Sequence, residues 1–179
     1  MTTTDKGPGL WTAAPVHGGF LVDAERINQR ILTAFAAPAE ADFSRRTHFF
    51  GGRFENLYLD RDRIPELRII LDQAEYWARE ILNRGDRSLR CGFWFNAQRP
   101  GQFTSEHTHE ELDELLSGVY YLSAPERSGD LILRDGPLSI HVTPAAGLFL
   151  FFPPNLSHRV ETNRSDALRL SLAFNFGPL

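Results

Sequence analysis

The chain has one cysteine, Cys91, among 179 residues, so it cannot form an internal disulfide and suits a reducing compartment. It lacks a basic run or stripe, and its net charge is −4, which argues against nucleic acid as a partner. The longest apolar run, residues 148–154, is too short to cross a bilayer, and residues 1–11 do not resemble a signal peptide. These absences predict a cytoplasmic protein without membrane or nucleic acid partners.

What is present suggests one domain over residues 1–179, because this length can bury a hydrophobic core without dividing. Residues 1–85 are expected to supply an N-terminal arm and supporting helices, and residues 86–179 a β-rich core. The first nineteen residues are rich in Thr, Gly and Pro, so a loose arm is expected there.

Two helices are predicted in the first half. Asp23 suits an N-cap position, and Ile27, Ile31 and Phe35 follow at helical spacing. A second helix is predicted after Pro65, where one face carries apolar residues at positions 67, 70, 71, 74, 77, 78 and 81. Residues 47–60 show no clear periodicity, and we assign no element to them.

After residue 85 the sequence changes to short apolar or alternating runs separated by Gly, Pro and Asn. We predict eight strands, at residues 89–98, 103–109, 117–123, 130–134, 138–143, 148–152, 158–161 and 167–176. This spacing is typical of a β-sandwich or barrel of the jelly-roll type. The predicted fold is therefore mainly β, with the helices packed on one outer face.

The last predicted strand has two different faces. One face is large and apolar, and the other carries Arg169, Ser171, Ala173 and Asn175. A solvent-facing strand usually carries several charges, so this small and polar face is more typical of a ligand cavity. The alternative is an ordinary edge strand with Arg169 at the surface.

Three histidines form a candidate metal site. His107 and His109 stand two residues apart, which places them on the same face of an extended strand, and His158 follows a Pro-Pro-Asn turn. Imidazoles gathered on one face suit a divalent transition metal. Two alternatives stay open, because the pair can be exposed in a polar loop, and because His109 with Glu111 makes a second His-x-Glu frame.

From Asn96 onward the sequence reads N-x-x-x-P-G-x-x-x-x-x-H-x-H, then L-S-G-V-Y-Y-L, S-G-x-L-x-L-x-D and R-L-S-L-A-F-N-F. In this order and spacing the blocks resemble the Fe(II)/2-oxoglutarate-dependent oxygenases, and in particular a bacterial branch with the H-x-H and S-G-V-Y-Y-L motifs. The resemblance covers residues 96–176. It implies a double-stranded β-helix fold and the cofactors Fe(II) and 2-oxoglutarate.

The resemblance also implies roles for particular residues. His107 and His158 correspond to two iron ligands of the family, and His109 stands where the family has a carboxylate, with Glu111 as the alternate ligand. Arg169 corresponds to the residue that grips the distal carboxylate of 2-oxoglutarate.

Two further residues are expected to bind the cofactor. Tyr121 would add a hydrogen bond to the same carboxylate, with Tyr120 as the competing assignment, and Asn96 would line the cofactor pocket. An alternating strand places Ser117, Val119 and Tyr121 on one face, which agrees with this role.

The implied activity is oxidation of an unactivated C–H bond with O2, most often hydroxylation, with release of succinate and CO2. The substrate is expected to be a small molecule, including a peptide or a natural-product intermediate, and a homodimer is an option. We name Arg53, Asn56 and Trp94 as candidate substrate residues. Residues 47–58 are a candidate lid, or alternatively a hairpin, beside Arg45 and Arg46, which would attract an acidic substrate.

Two other functions stay open because the family's carboxylate ligand is missing. One is a three-histidine dioxygenase of the cupin type, which uses no 2-oxoglutarate. The other is a β-sandwich binding module without catalytic activity.

Overall fold

The computed structural model describes residues 9–36, 43–109 and 112–179 of the chain. Two α-helices are present in these residues, α1 (Ala24–Ala36) and α2 (Leu67–Ile81), together with a short 3-10 turn at Arg61–Arg63. Both helices lie where the apolar spacing predicted them. Neither is long and apolar enough to span a membrane.

The described strands form two antiparallel sheets. In chain order they are β1 (Trp11–Ala13), β2 (Val16–Phe20), β3 (Arg45–Phe50), β4 (Arg53–Tyr58), β5 (Leu89–Gln98), β6 (Thr104–His107), β7 (Leu116–Ser123), β8 (Leu131–Asp135), β9 (Leu138–Val142), β10 (Leu148–Phe152), β11 (Ser157–Val160) and β12 (Arg169–Pro178). The large sheet has the order β1-β2-β10-β7-β12-β5-β4-β3, and the small sheet has the order β6-β11-β8-β9. The predicted mainly β jelly-roll fold is confirmed.

The helices cover the outer face of the large sheet. Ile31 of α1 and Trp77 of α2 join a buried cluster with Phe149, Phe174 and Phe176 of the sheet. The edge of the Trp77 ring meets the face of Phe149, with the ring centroids 5.1 Å apart. A second, smaller cluster lies between the two sheets. The inner face of the large sheet is therefore the face left for a site.

The loose arm expected over the first nineteen residues does not hold for its described part. There β1 pairs with β2, and β2 pairs with β10, so this segment forms one edge of the large sheet. A Cβ added at Gly19 would lie 2.6 Å from the Trp77 ring, so glycine permits the close packing of backbone on that ring. Gly18 and Gly19, which suggested a flexible arm, are therefore packing positions.

The unassigned segment 47–60 is largely a hairpin, the alternative to a lid. Its strands β3 and β4 pair with each other, and β4 pairs with β5 through Asn56 and Leu57. The first half of the chain thus contributes four strands as well as the helices, and β3 forms the other edge of the large sheet.

Candidate active site

The structure brings the three predicted histidines together. His107 closes β6 and pairs directly with His158 of β11, while His109 lies two residues beyond β6 with its backbone N–H bonded to the Pro154 carbonyl at 2.9 Å. The ring centroids of His107 and His158 are 4.3 Å apart, and each lies 5.0 Å from that of His109. One ring nitrogen of each residue lies within 4.8 Å of the others, which is close enough for all three to reach one ion.

Two of the rings are oriented by backbone carbonyls. Nδ1 of His107 is 2.9 Å from the Ser105 carbonyl, and Nδ1 of His158 is 3.0 Å from the Leu156 carbonyl. Because a carbonyl only accepts hydrogen bonds, Nδ1 must carry the proton in both rings. The Nε2 lone pair is then free to bind a metal, an arrangement common among histidine ligands.

Burial keeps two of the imidazoles neutral. Burial, with a smaller contribution from the neighbouring His107, lowers the pKa of His109 to about 4 and that of His158 to about 3. At neutral pH these rings therefore hold lone pairs rather than positive charges. A cluster of neutral imidazoles attracts a divalent cation without first losing protons.

Arg169 is buried without an acidic partner. Its side chain is 2% exposed, Nη1 donates to the Gly129 carbonyl at 2.9 Å, and Nε has no hydrogen-bond partner. Among the described residues no carboxylate lies within ion-pairing distance of it. Burial lowers the pKa of Arg169, while Tyr121 and the more distant carboxylate of Asp130 raise it, and a guanidinium keeps its charge in proteins. A buried charge of this kind needs a counter-ion, and the carboxylate of a ligand such as 2-oxoglutarate fits it.

Tyr121 and Tyr120 face opposite sides of the large sheet. The Tyr121 ring lies 5.1 Å from the Arg169 guanidinium, and its buried hydroxyl lies near that guanidinium without making a hydrogen bond of standard geometry among the described residues. Burial raises the pKa of Tyr121, so the hydroxyl stays protonated and can donate to an anion. The Tyr120 hydroxyl instead donates to Asn28 of α1 at 2.7 Å, inside the helix-side core. The competing assignment to Tyr120 is therefore not favoured.

A cavity of about 500 Å³ between the sheets connects these groups. All four residues of the small and polar face of β12 line it, as the alternation predicted. Cross-strand pairing arranges its floor in rows. A polar row consists of Thr47, Asn56, Asn96, Ser171 and Tyr121. The adjacent row contains Trp94, Ala173 and Val119.

The other candidate cofactor and substrate residues do not all line the cavity. Asn96, Trp94 and Asn56 line the cavity, whereas Arg53 does not. The Arg53 guanidinium donates to the carbonyls of Ala97 at 3.3 Å and Phe103 at 2.9 Å, so it ties the hairpin to the end of β5. Glu111, the alternate ligand, lies outside the described residues.

Two further residues of the candidate lid segment 47–58 line the cavity, although neither was named as a substrate residue. Glu55 is 5% exposed, pairs with Arg53 at 3.2 Å, and has its pKa raised by burial. His48 has φ of 55°, and its Nδ1 accepts a hydrogen bond from the Asn56 amide at 2.8 Å. Both belong to the hairpin, and the alternation of β4 from Arg53 to Tyr58 was the available signal for Glu55.

Comparison with known proteins gives one family match. The model of a family described as "Putative 2OG-Fe(II) oxygenase" matches residues 135–175, which include His158 and Arg169. A search of curated proteins found no match to this chain.

Three solved structures illustrate the shared fold. A prolyl-4-hydroxylase from Pseudomonas putida has a TM-score of 0.63 and 19% identity, covering 92% of this chain and 88% of its own. The non-heme α-ketoglutarate-dependent carbocyclase SnoK from nogalamycin biosynthesis has a TM-score of 0.69 and 15% identity, with 91% and 79% covered. A 2OG-Fe(II) oxygenase family oxidoreductase from Burkholderia pseudomallei has a TM-score of 0.66 and 17% identity, with 90% and 84% covered.

Proposed function

We propose that this chain is a 2OG-Fe(II) oxygenase that oxidises a C–H bond of a small molecule, with hydroxylation as the expected outcome. One observation carries the proposal. Three histidines within reach of one ion and a buried arginine without an acidic partner face the same cavity.

His107, His109 and His158 are the proposed iron ligands. The Nε2 atoms of His107 and His158 are free to bind, because the Nδ1 protons are engaged by carbonyls. The bound Fe(II) supplies the oxidative chemistry, in which O2 and 2-oxoglutarate yield succinate and CO2 while one oxygen atom enters the substrate. The surrounding sheets hold the ligands in place, with His158 buried at 6% exposed and His107 and His109 partly buried.

Arg169 and Tyr121 are the proposed anchors for 2-oxoglutarate. The guanidinium would form a charge-assisted pair with the distal carboxylate, and the protonated phenol would donate one more hydrogen bond to it. Asn96 lies in the same polar row as Tyr121, so its amide would complete the cofactor side of the cavity. Asn56 and Trp94 would then contact the substrate.

A second candidate follows from the ligand set itself. Three imidazoles give the site one negative charge less than two imidazoles and a carboxylate, as in the three-histidine dioxygenases that use no 2-oxoglutarate. The buried Arg169 favours the 2-oxoglutarate reaction, because such a dioxygenase has no need of a cation there.

A single domain over residues 1–179 and a cytoplasmic location stay predictions.

Succinate formation tests the proposal. With Fe(II), 2-oxoglutarate and air, the protein is expected to form succinate, slowly even without its substrate. Arg169→Ala should lose 2-oxoglutarate affinity, and Arg164→Ala, at an exposed arginine, should retain it. Failure to form succinate, together with unchanged 2-oxoglutarate affinity in Arg169→Ala, would contradict the proposal. Oxygen consumption without succinate would favour the three-histidine dioxygenase.

A further inference from the structure

An aromatic row leads from the histidine cluster to the edge of the large sheet. The rings of His109 and Trp94 have centroids 5.6 Å apart, and those of Trp94 and Tyr58 are 6.1 Å apart. Tyr58 pairs across the hairpin with Arg45, whose guanidinium lies 4.1 Å from the centre of the Tyr58 ring. All four residues line the cavity. One wall of the cavity is thus flat and aromatic near the histidines and cationic at its far end.

Arg45 has no carboxylate partner among the described residues, unlike another arginine of the cavity. Three arginines line the cavity, and of these Arg90 pairs with Asp113 while Arg169 serves the proposed cofactor site. Arg45 is exposed, and no carboxylate among the described residues lies within ion-pairing distance of it. Its stacking on Tyr58 holds the guanidinium plane in place but satisfies none of its hydrogen-bond donors.

The acidic residues of the cavity do not compensate Arg45. Glu55 is engaged by Arg53, and the Glu114 carboxylate accepts a hydrogen bond from the Leu112 backbone N–H at 3.1 Å. His48 and Asn56, which also line the cavity, are bonded to each other. Within the described residues, Arg45 is therefore the cationic donor at this end that is free for a ligand.

We propose that the substrate is a small organic acid with a flat apolar body, and this inference rests on the proposed function. Its carboxylate binds Arg45, its body lies along Tyr58 and Trp94, and the carbon to be oxidised lies at the His109 end. Arg45 is on β3 and Trp94 on β5, so their backbones are two strand spacings, or roughly 10 Å, apart. This spacing sets the scale of the distance between the carboxylate and the oxidised carbon. The cavity volume of about 500 Å³ suits a molecule of this size.

Calorimetry with a matched set of ligands tests this inference. Phenylalkanoic acids with two to five methylene groups, and their primary amides, are titrated without O2 into protein saturated with Fe(II) and 2-oxoglutarate. At the best chain length the acid is expected to bind about threefold to tenfold more tightly than its amide, the range for one charge-assisted contact at an exposed site.

Variants assign that difference to the proposed residues. Arg45→Gln should bind acid and amide equally and keep the wild-type affinity for 2-oxoglutarate, because Arg45 is remote from Arg169 along the sheet. Tyr58→Leu should weaken acid and amide alike. Arg87→Gln makes the same charge change at an exposed position away from the cavity and should behave as wild type.

The two proposals fail in different ways. Equal binding of acids and amides by the wild type, no binding by any acid, or an unchanged preference in Arg45→Gln would overturn the inference. Failure of the wild type to bind 2-oxoglutarate would contradict the proposed function instead. The comparison of acid with amide is repeated without 2-oxoglutarate. The substrate inference can then be tested whether or not the wild type binds 2-oxoglutarate.

Discussion

The two faces of β12 share one backbone but have opposite surroundings. Leu170, Leu172, Phe174 and Phe176 are fully buried against the helices, in a core without polar atoms from this strand. On the other face, Arg169 and Ser171 are buried beside a cavity, and Ala173 and Asn175 are half-buried along it. The comparison teaches that burial alone does not distinguish core from site. The size and polarity of the alternating residues do.

The largest effect is expected on the core face. Phe174→Ala removes a ring that packs on Phe151 and Phe176, with centroids 5.6 and 5.5 Å apart. It should lower the free energy of unfolding by about 3–5 kcal/mol, measured by urea denaturation. Ser171→Ala on the opposite face should change it by less than about 1 kcal/mol. Similar losses in the two variants would erase the distinction between the faces.

Arg169→Met is expected to separate binding from stability. Without the guanidinium, 2-oxoglutarate should bind about 2–4 kcal/mol more weakly, because its carboxylate loses a buried charged partner. The free energy of unfolding of the ligand-free protein should stay equal or rise, since a buried charge without a counter-ion is removed. Calorimetry and urea denaturation measure the two quantities. A large loss of stability with full 2-oxoglutarate affinity would assign Arg169 to the core.

Acid should lower the free energy of unfolding of the metal-free protein, because it favours protonation of His109 and His158, which line the cavity. His109 and His158 have folded pKa values of about 4 and 3, below the unfolded value near 6.5, so the unfolded state binds protons first as the pH falls. Stability is therefore complete above about pH 6.5 and is lost below it, by roughly 2 kcal/mol between pH 7 and 5.5. His158→Gln should flatten this dependence. If stability depended on pH equally steeply in that variant, protonation of His158 would not be the cause.

The smallest effect is expected for Tyr121→Phe. Loss of one neutral donor to the carboxylate should weaken 2-oxoglutarate binding by about 1 kcal/mol, or roughly fivefold. The neighbouring Tyr120→Phe is the control, since its hydroxyl bonds to Asn28 on the helix side. It should cost stability and leave 2-oxoglutarate affinity unchanged. Exchanged effects would show that the two tyrosines had been assigned to the wrong faces.

The alternating strands were predictable because each has one face in an apolar core. All eight strands predicted after residue 85 are present, with ends that differ by no more than two residues. The hairpin β3–β4 was named only as the alternative to a lid, because all but one residue of β3 is exposed and no apolar face marks its period. The glycine-rich β2 was missed because Gly19 reflects close contact with Trp77, which is distant in sequence, and Gly18 reflects close contact with Trp11.

For the site, spacing predicted which residues could meet, but not their surroundings. The pairing of His107 with His158 depends on the register of β6 and β11, which no local pattern encodes. Arg53 and Asn56 are placed differently because residues three apart on β4 point to opposite faces, and β4 was not assigned as a strand from the sequence. Glu55 was missed for the same reason. Residues whose roles depend on long-range register were therefore the least predictable.

A crystal structure with Mn(II) and 2-oxoglutarate, grown without O2, tests the central claim most directly. The anomalous signal of Mn(II) should place one ion within bonding distance of His107, His109 and His158. The distal carboxylate of 2-oxoglutarate should then pair with Arg169. An ion bound elsewhere, Glu111 in place of His109, or 2-oxoglutarate that leaves Arg169 without a partner would contradict the proposed ligand set.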